Sequence, residues 1–236
     1  MKFSTLCLAA IVAGVLSAPA FSSVVVQGTR VIYPESAKEI TVKMVNEGKI
    51  PLLVQSWMDD GHESGDPAQM KLPFIVTPPV SRLDPAKGQS VRITWTGQAL
   101  PQDRESIYWF NVLEIPPKTA GTEGSSKLNL ALRSRIKFFF RPKNLPGNFI
   151  EALNNVSWNI ANNEITLKNA SPYYLSIVGG NIWVGEKKYT YKAKMLSPFS
   201  EDHFAIPQFT SATVNKVSWT GLNDYGAVTE VVKTTK

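Results

Sequence analysis

The run Leu128-Asn-Leu130-Ala-Leu132-Arg-Ser-Arg-Ile136-Lys137-Phe-Phe-Phe140-Arg141-Pro142 carries Leu128, Leu130, Leu132, Ile136, Phe138 and Phe140 at even positions, and Arg133, Arg135, Lys137 and Arg141 at odd ones. A two-residue period is that of a strand, whose successive side chains point to opposite faces. The element is longer than most sandwich strands, and it joins an apolar face to a cationic one. The leucines suit ordinary core packing and contact with a partner equally well. Either way, the chain around such a strand has to supply sheets.

The same period recurs at 39–45, 52–58, 90–95 and 107–115, with Gly, Pro, Asn and Asp between the segments. This is the spacing of a β-sandwich. No sustained helical stripe with caps is visible, and Val, Ile, Thr and aromatic residues abound, so the expected class is all-β. A weak internal repeat points to two similar sandwiches. Glu39-Ile-Thr-Val-Lys, Asn46, Pro51 and Trp57 return as Glu164-Ile-Thr-Leu-Lys, Asn169, Pro172 and Trp183. Arg141-Pro142-Lys-Asn-Leu-Pro146-Gly147 is a short, stiff junction that favours a fixed angle and a cleft between domains.

Met1-Lys2, an apolar stretch from Leu6 to Leu16 and the small-residue exit Ser17-Ala18-Pro19-Ala20-Phe21-Ser22 have the form of a cleavable secretory signal. Cleavage after Ala20 and after Ser22 fit equally. The expected division is signal 1–22, a first domain at 23–142 and a second at 143–236. Cys7, the single cysteine, falls within the signal, so the mature chain holds together by core burial without disulfides. Loss of Lys2 with the signal leaves a modest, scattered net charge of +5.

Catalysis has little to work with. His62 and His203 both sit in polar, loop-like settings, and neither has a second ligand at metal spacing. Gly61-His-Glu-Ser-Gly65 is not a nucleophile elbow, and no glycine-rich phosphate loop follows a strand. No enzymatic activity, metal, cofactor or small-molecule substrate is expected. Nucleic acid is a poor partner for an exported chain of modest charge, although Arg133, Arg135, Lys137 and Arg141 interleave with phenylalanines. Those cations better suit a carboxylate. An exported sandwich that binds carbohydrate or takes part in adhesion is the alternative to the reading below.

Leu100-Pro-Gln-Asp-Arg-Glu105-Ser-Ile-Tyr-Trp-Phe110-Asn-Val-Leu-Glu-Ile-Pro116-Pro117 resembles the signature of periplasmic pilus (fimbrial) assembly chaperones. The resemblance spans nearly the whole mature chain. It continues through Thr29-Arg30, Val76-Thr-Pro-Pro-Val80, Arg82-Leu-Asp-Pro85, Ile136-Lys137, Ser171-Pro-Tyr-Tyr174, Met195-Leu-Ser-Pro198 and Asn223-Asp224-Tyr-Gly226.

The resemblance implies two immunoglobulin-like sandwiches set as a boomerang around a cleft. It implies a periplasmic chaperone that folds fimbrial subunits by donor-strand complementation, prevents their premature polymerisation and delivers them to an outer-membrane usher. Strand addition of this kind supplies backbone hydrogen bonds while alternate side chains fill pockets. By resemblance, Leu128, Leu130 and Leu132 are the lent side chains, and Arg30 and Lys137 hold the subunit's terminal carboxylate. Glu105, Arg141 and Asp224 form an interdomain ion-pair network, and Pro51, Leu53 and Ile115 form an usher-docking patch. The resemblance also permits self-association of the free protein through the lent strand, and the sequence leaves its oligomeric state open. Only ten residues, 118–127, separate Pro117 from Leu128, as in the short-loop branch that serves rod-like pili. The cysteine pair that some members carry in the second domain is absent, so folding should need no oxidoreductase.

Overall fold

The structure, a computed structural model, describes residues 23–62, 70–117, 130–209 and 213–234. Alternating apolar residues pair into four sheets, two on each of two hydrophobic cores. The first core lies between a sheet ordered β1 (Val24–Val26), β3 (Ile40–Asn46), β7 (Gly88–Trp95), β5 (Phe74–Thr77) and a second sheet. That second sheet is ordered β2 (Arg30–Pro34), β9 (Leu132–Arg141), β8 (Ser106–Ile115), β4 (Leu52–Asp59), β6 (Val80–Leu83). The other core is enclosed by β10 (Ser157–Ala161), β11 (Glu164–Asn169), β14 (Ser200–Ala205) and by β13 (Lys187–Lys192), β12 (Ile177–Val184), β15 (Lys216–Leu222), β16 (Val228–Thr234).

Each core is aromatic and aliphatic throughout. Tyr33, Val91, Ile93, Phe110, Phe138 and Phe140 fill the first; Leu153, Ile165, Leu167, Leu175, Ile182 and Trp219 fill the second. Burying whole side chains of this kind is worth about 1.5–3 kcal/mol apiece. That is the driving force available to the described residues, none of which is cysteine.

The internal repeat has a physical basis, in a register different from the one its letters suggest. Asn46 is buried and ends β3, where its Nδ2 donates to the carbonyls of Ile50 and Leu83, both at 2.9 Å, and its Oδ1 accepts from Gly48 N–H. Asn169 ends β11 in the same way, donating to the carbonyls of Tyr173 and Ser197 at 2.8 Å and accepting from Ser171 N–H. With the two asparagines matched, Val42 and Met44 correspond to Ile165 and Leu167, all buried. The Glu-Ile-Thr match is therefore two residues out of step with the structural one.

β9 begins at Leu132, so the strand described is shorter than the 128–142 alternation. Leu128 lies outside the described residues. The strand ends where Pro142 lacks an N–H to continue the ladder. Phe138 and Phe140 point into the first core as the even parity requires, but Phe139, of odd parity, is also only 2% exposed. Its ring packs at 5.7 Å from that of Tyr174 in the second domain. The odd face of β9 is thus the face turned to the other domain.

One element was not visible as a period. Immediately after the junction, α1 (Phe149–Asn154) is capped by Asn148, whose Oδ1 accepts from Glu151 N–H while its Nδ2 donates to Glu151 Oε1. Six residues are too few to show a helical stripe; the available signal was the cap and its partner three residues on. Trp219 Nε1 donates to the Leu153 carbonyl at 2.9 Å and fixes the helix to the second core.

Replacing Asn46 or Asn169 by alanine should destabilise its own sandwich by about 1–3 kcal/mol, because two carbonyls lose their donor in each case. Urea unfolding of the two variants measures this. An unchanged midpoint in both would contradict the role of the turns.

Candidate functional site

β9 is an interior strand along only half its length. β2 pairs with it in parallel from Arg30 opposite Lys137 to Pro34 opposite Arg141, whereas β8 pairs antiparallel from Leu132 to Phe140. Among the described residues, 132–136 therefore have a strand on one side and an open lane on the other, and that lane is closed where β2 begins. An open edge presents unpaired backbone N–H and C=O groups to any strand that can enter it. Beside it Leu130 and Leu132 are 64% and 49% exposed.

At the closed end of the lane two predicted residues come together. Arg30 and Lys137 are register partners on adjacent parallel strands, so they share a face. The Arg30 guanidinium donates through Nη1 to the Leu222 carbonyl of the second domain at 2.8 Å, while its Nε is buried without a partner. Lys137 makes no side-chain hydrogen bond or ion pair among the described residues. Burial first, and then the neighbouring guanidinium, hold the Lys137 ammonium below the ordinary lysine value. Burial also lowers Arg30, against the pull of Asp224 and Glu105. Two half-buried cations thus stand side by side at the end of the open strand lane. Lys137 needs no bulge to face the cleft, since the odd face of β9 is turned to the second domain at Phe139 and Arg141.

The expected network of Glu105, Arg141 and Asp224 is closed. Arg141 Nε donates to Glu105 Oε1 at 2.7 Å, and its Nη1 and Nη2 donate in fork fashion to the two Asp224 oxygens at 2.7 and 2.8 Å. Tyr174 N–H donates to Glu105 Oε2, and Glu105 N–H to the Pro172 carbonyl, so both ends of Glu105 engage the second domain. Burial pushes the Glu105 carboxyl up, against Arg141 and the Tyr174 amide. Burial opposes the charge on Arg141 too, but its two carboxylates hold it above the ordinary arginine value. Asp224 is aimed by a turn in which the Asn223 side chain accepts from the N–H groups of Tyr225 and Ala227. Gly226, at φ +81°, closes this turn against Thr29, where an added Cβ would collide with the threonine hydroxyl.

Pro51, Leu53 and Ile115 also meet. Leu53 and Ile115 are register partners on β4 and β8, and with Pro51, Arg82 and Pro116 they line a shallow, largely apolar groove of about 280 Å³. Among the described residues, neither histidine is hydrogen-bonded or ion-paired to any of these. His62 pairs with Asp60 on an exposed turn. His203 lies on β14 and not in a loop, its ring hydrogen-bonded to the Thr166 hydroxyl on the neighbouring strand.

One cluster was missed in the sequence. Asp59 is fully buried at the end of β4 and takes Arg135 through Nε at 3.0 Å and Nη2 at 2.6 Å, Arg133 through Nη2 at 3.1 Å, and Asn111 Nδ2 at 2.8 Å. The two guanidiniums lie over Trp57 and Trp109. Burial would raise the Asp59 carboxyl, but the bonds from Arg135, Asn111 and Gly61 hold it below the ordinary range. The expectation that these arginines meet a carboxylate holds, and the carboxylate is the chain's own. A signal was present in Trp57 and Asp59, which share the parity of the strand's polar face.

Two family models match, one described as the pili and flagellar-assembly chaperone PapD N-terminal domain over residues 23–146, the other as the pili assembly chaperone PapD C-terminal domain over 151–233. The probable fimbrial chaperone YadV of Escherichia coli (strain K12) is 39% identical over 222 residues, covering 91% of this chain and 90% of YadV. A crystal structure of a YadV chaperone has a TM-score of 0.79 at 37% identity, covering 91% of this chain and all of that one. The chaperone protein FimB/FhaD of Bordetella pertussis is 40% identical over 223 residues, 91% of this chain and 88% of that protein. A Salmonella enterica SafB chaperone, solved in complex with the pilin SafA, has a TM-score of 0.76 at 26% identity, over 92% of this chain and 99% of that one.

Arg141→Ala should cost about 3–5 kcal/mol, since it leaves Glu105 buried without its cation. Thermal or urea unfolding measures the loss, and a variant as stable as wild type would contradict the weight given to the network.

Proposed function

The chain belongs to the family of pilus-assembly chaperones, and we propose that it holds a fimbrial subunit in the open lane of β9, with the subunit's C-terminal carboxylate on Arg30 and Lys137. The family consists of chaperones, not enzymes, and works in the periplasm. The chain binds pilus subunits, supports their folding, keeps them from polymerising early and passes them to an outer-membrane usher. The observation that carries the site reading is the coincidence of two ends. The lane beside residues 132–136 stops where the two cations stand.

That coincidence fixes a direction. A subunit strand in the lane whose last residue reaches Lys137 has to run from 132 towards 136, parallel to β9 and collinear with β2. Its backbone completes the unpaired edge, and Leu130 and Leu132, with Leu128 ahead of them, fill pockets in the subunit. Each leucine covered contributes up to about 1.5–3 kcal/mol. The carboxylate adds register, because anchoring a chain end decides which side chain meets which leucine. The cleft is arranged to repay its desolvation, with charge-assisted donors held in place by the fixed domain angle.

In this reading the Glu105–Arg141–Asp224 network keeps the second domain against the cationic face, and the groove of Pro51, Leu53 and Ile115 docks on the usher. Residues 1–22 serve as the cleavable export signal, with the first domain running to 142 and the second from 143.

Lys137→Ala should reduce recovery of a co-expressed fimbrial subunit by roughly 10- to 150-fold, the equivalent of a charged hydrogen bond of about 1.5–3 kcal/mol. Lys137→Met should reduce capture to the same extent, while its own urea midpoint stays at or above wild type, because a half-buried cation beside Arg30 has been removed. Normal subunit recovery with either variant would sink the proposal.

A further inference from the structure

Residues 132–136 face a physical difficulty that the lane reading leaves open. A strand segment paired on one side only opens easily, and because its side-chain period is two, a turn about its axis would exchange the leucine row for the arginine row. The segment needs something besides its β8 ladder to hold its face. The chain supplies that on the odd side. Arg133 and Arg135 both reach past β8 to Asp59 on β4, two strands away in the sheet. Arg133 Nε also donates to Asn111 Oδ1 at 2.9 Å, and Asn111 itself donates to Asp59. Trp57 and Trp109 lie beneath the guanidiniums at 5.1 and 4.5 Å from their ring centroids. Asp59 also accepts from Gly61 N–H at 2.8 Å, so the carboxylate is tied to its own turn.

We propose that Asp59 is a positioning residue for subunit capture. It clamps Arg133 and Arg135 flat across the sheet and so holds the half-paired segment of β9 with Leu130 and Leu132 turned outward to the subunit. This rests on the lane reading above, but the clamp itself is a property of the free protein. Neither arginine needs to touch the subunit, and Asp59, with no exposed surface, has no route to it.

The experiment compares wild type, Asp59→Asn and Lys137→Ala as full-length chaperones. Hydrogen exchange is followed in the free proteins, and recovery of a co-expressed fimbrial subunit is measured from the periplasm. Asp59→Asn keeps the shape and removes the charge. It should speed exchange at residues 132–136 by about tenfold or more while 138–140, paired on both sides, stay protected. Subunit recovery should fall by about tenfold. Lys137→Ala should lower recovery and leave exchange in 132–136 unchanged, which separates the anchor from the clamp. If Lys137→Ala retains the subunit, the carboxylate reading falls and the clamp is judged on exchange alone. Should Asp59→Asn fail to fold, the Arg133→Gln/Arg135→Gln double variant removes the other half of the clamp from its partly exposed side. Exchange at 132–136 that rises no more than at 138–140, or wild-type subunit recovery by a clamp variant with loosened 132–136, would overturn the proposal.

Discussion

The short parallel strand β2 is the constraint on which the cleft depends. Had Arg30–Pro34 begun five residues earlier, β9 would be paired on both sides throughout and would be one more interior strand. Because β2 starts opposite Lys137, the same strand is core along its second half and open edge along its first. Phe138 and Phe140 bind that second half into the sandwich, with no exposed surface between them. In the proposed capture the open half is lent without unfolding the domain that lends it. Exposed edges are normally an aggregation hazard, and on β9 the open edge is limited to one short lane that ends at two cations.

The odd face of β9 gathers Arg133, Arg135, Lys137 and Arg141 in one row, a concentration of charge that would repel itself if left alone. The structure offsets it unequally. Asp59 takes the first two, while Glu105 and Asp224 take the last. Lys137 in the middle, with Arg30 beside it, keeps no anion of its own among the described residues. The site is thus defined as much by where carboxylates are placed as by where they are withheld. Buried ion pairs are a weak source of net stability; their contribution here is orientation, of one strand by Asp59 and of one domain by the Arg141 fork.

Much of this was legible in the sequence because a strand's parity is. The alternation from Leu128 predicted a two-faced strand, and the recurring period with its Asn, Pro and Gly turns predicted two sandwiches. Motif resemblance brought Arg30, Lys137, Glu105, Arg141 and Asp224 together, although up to 194 positions separate Arg30 from Asp224. The lane was not legible, since it depends on where β2 starts pairing, a property of two strands distant in sequence. Asp59 was missed for a similar reason, as its meaning lies in two arginines 74 and 76 positions away. The capped helix after the junction escaped because a single turn and a half has no period to read. Lys137 faces the second domain because the odd face of β9 turns that way at Phe139 and Arg141, packed against Tyr174 and Asp224.

In the proposed capture, a chain-terminal carboxylate running into a parallel lane is what the two cations recognise. This recognition is tested most directly by titrating the free chaperone with a synthetic peptide of the subunit's C-terminal strand, as the free acid and as the C-terminal amide. Amidation is expected to weaken binding at least tenfold, the equivalent of about 1.4 kcal/mol or more, and the difference should disappear in Lys137→Ala. Equal affinity of the two peptides for the wild-type protein would contradict it.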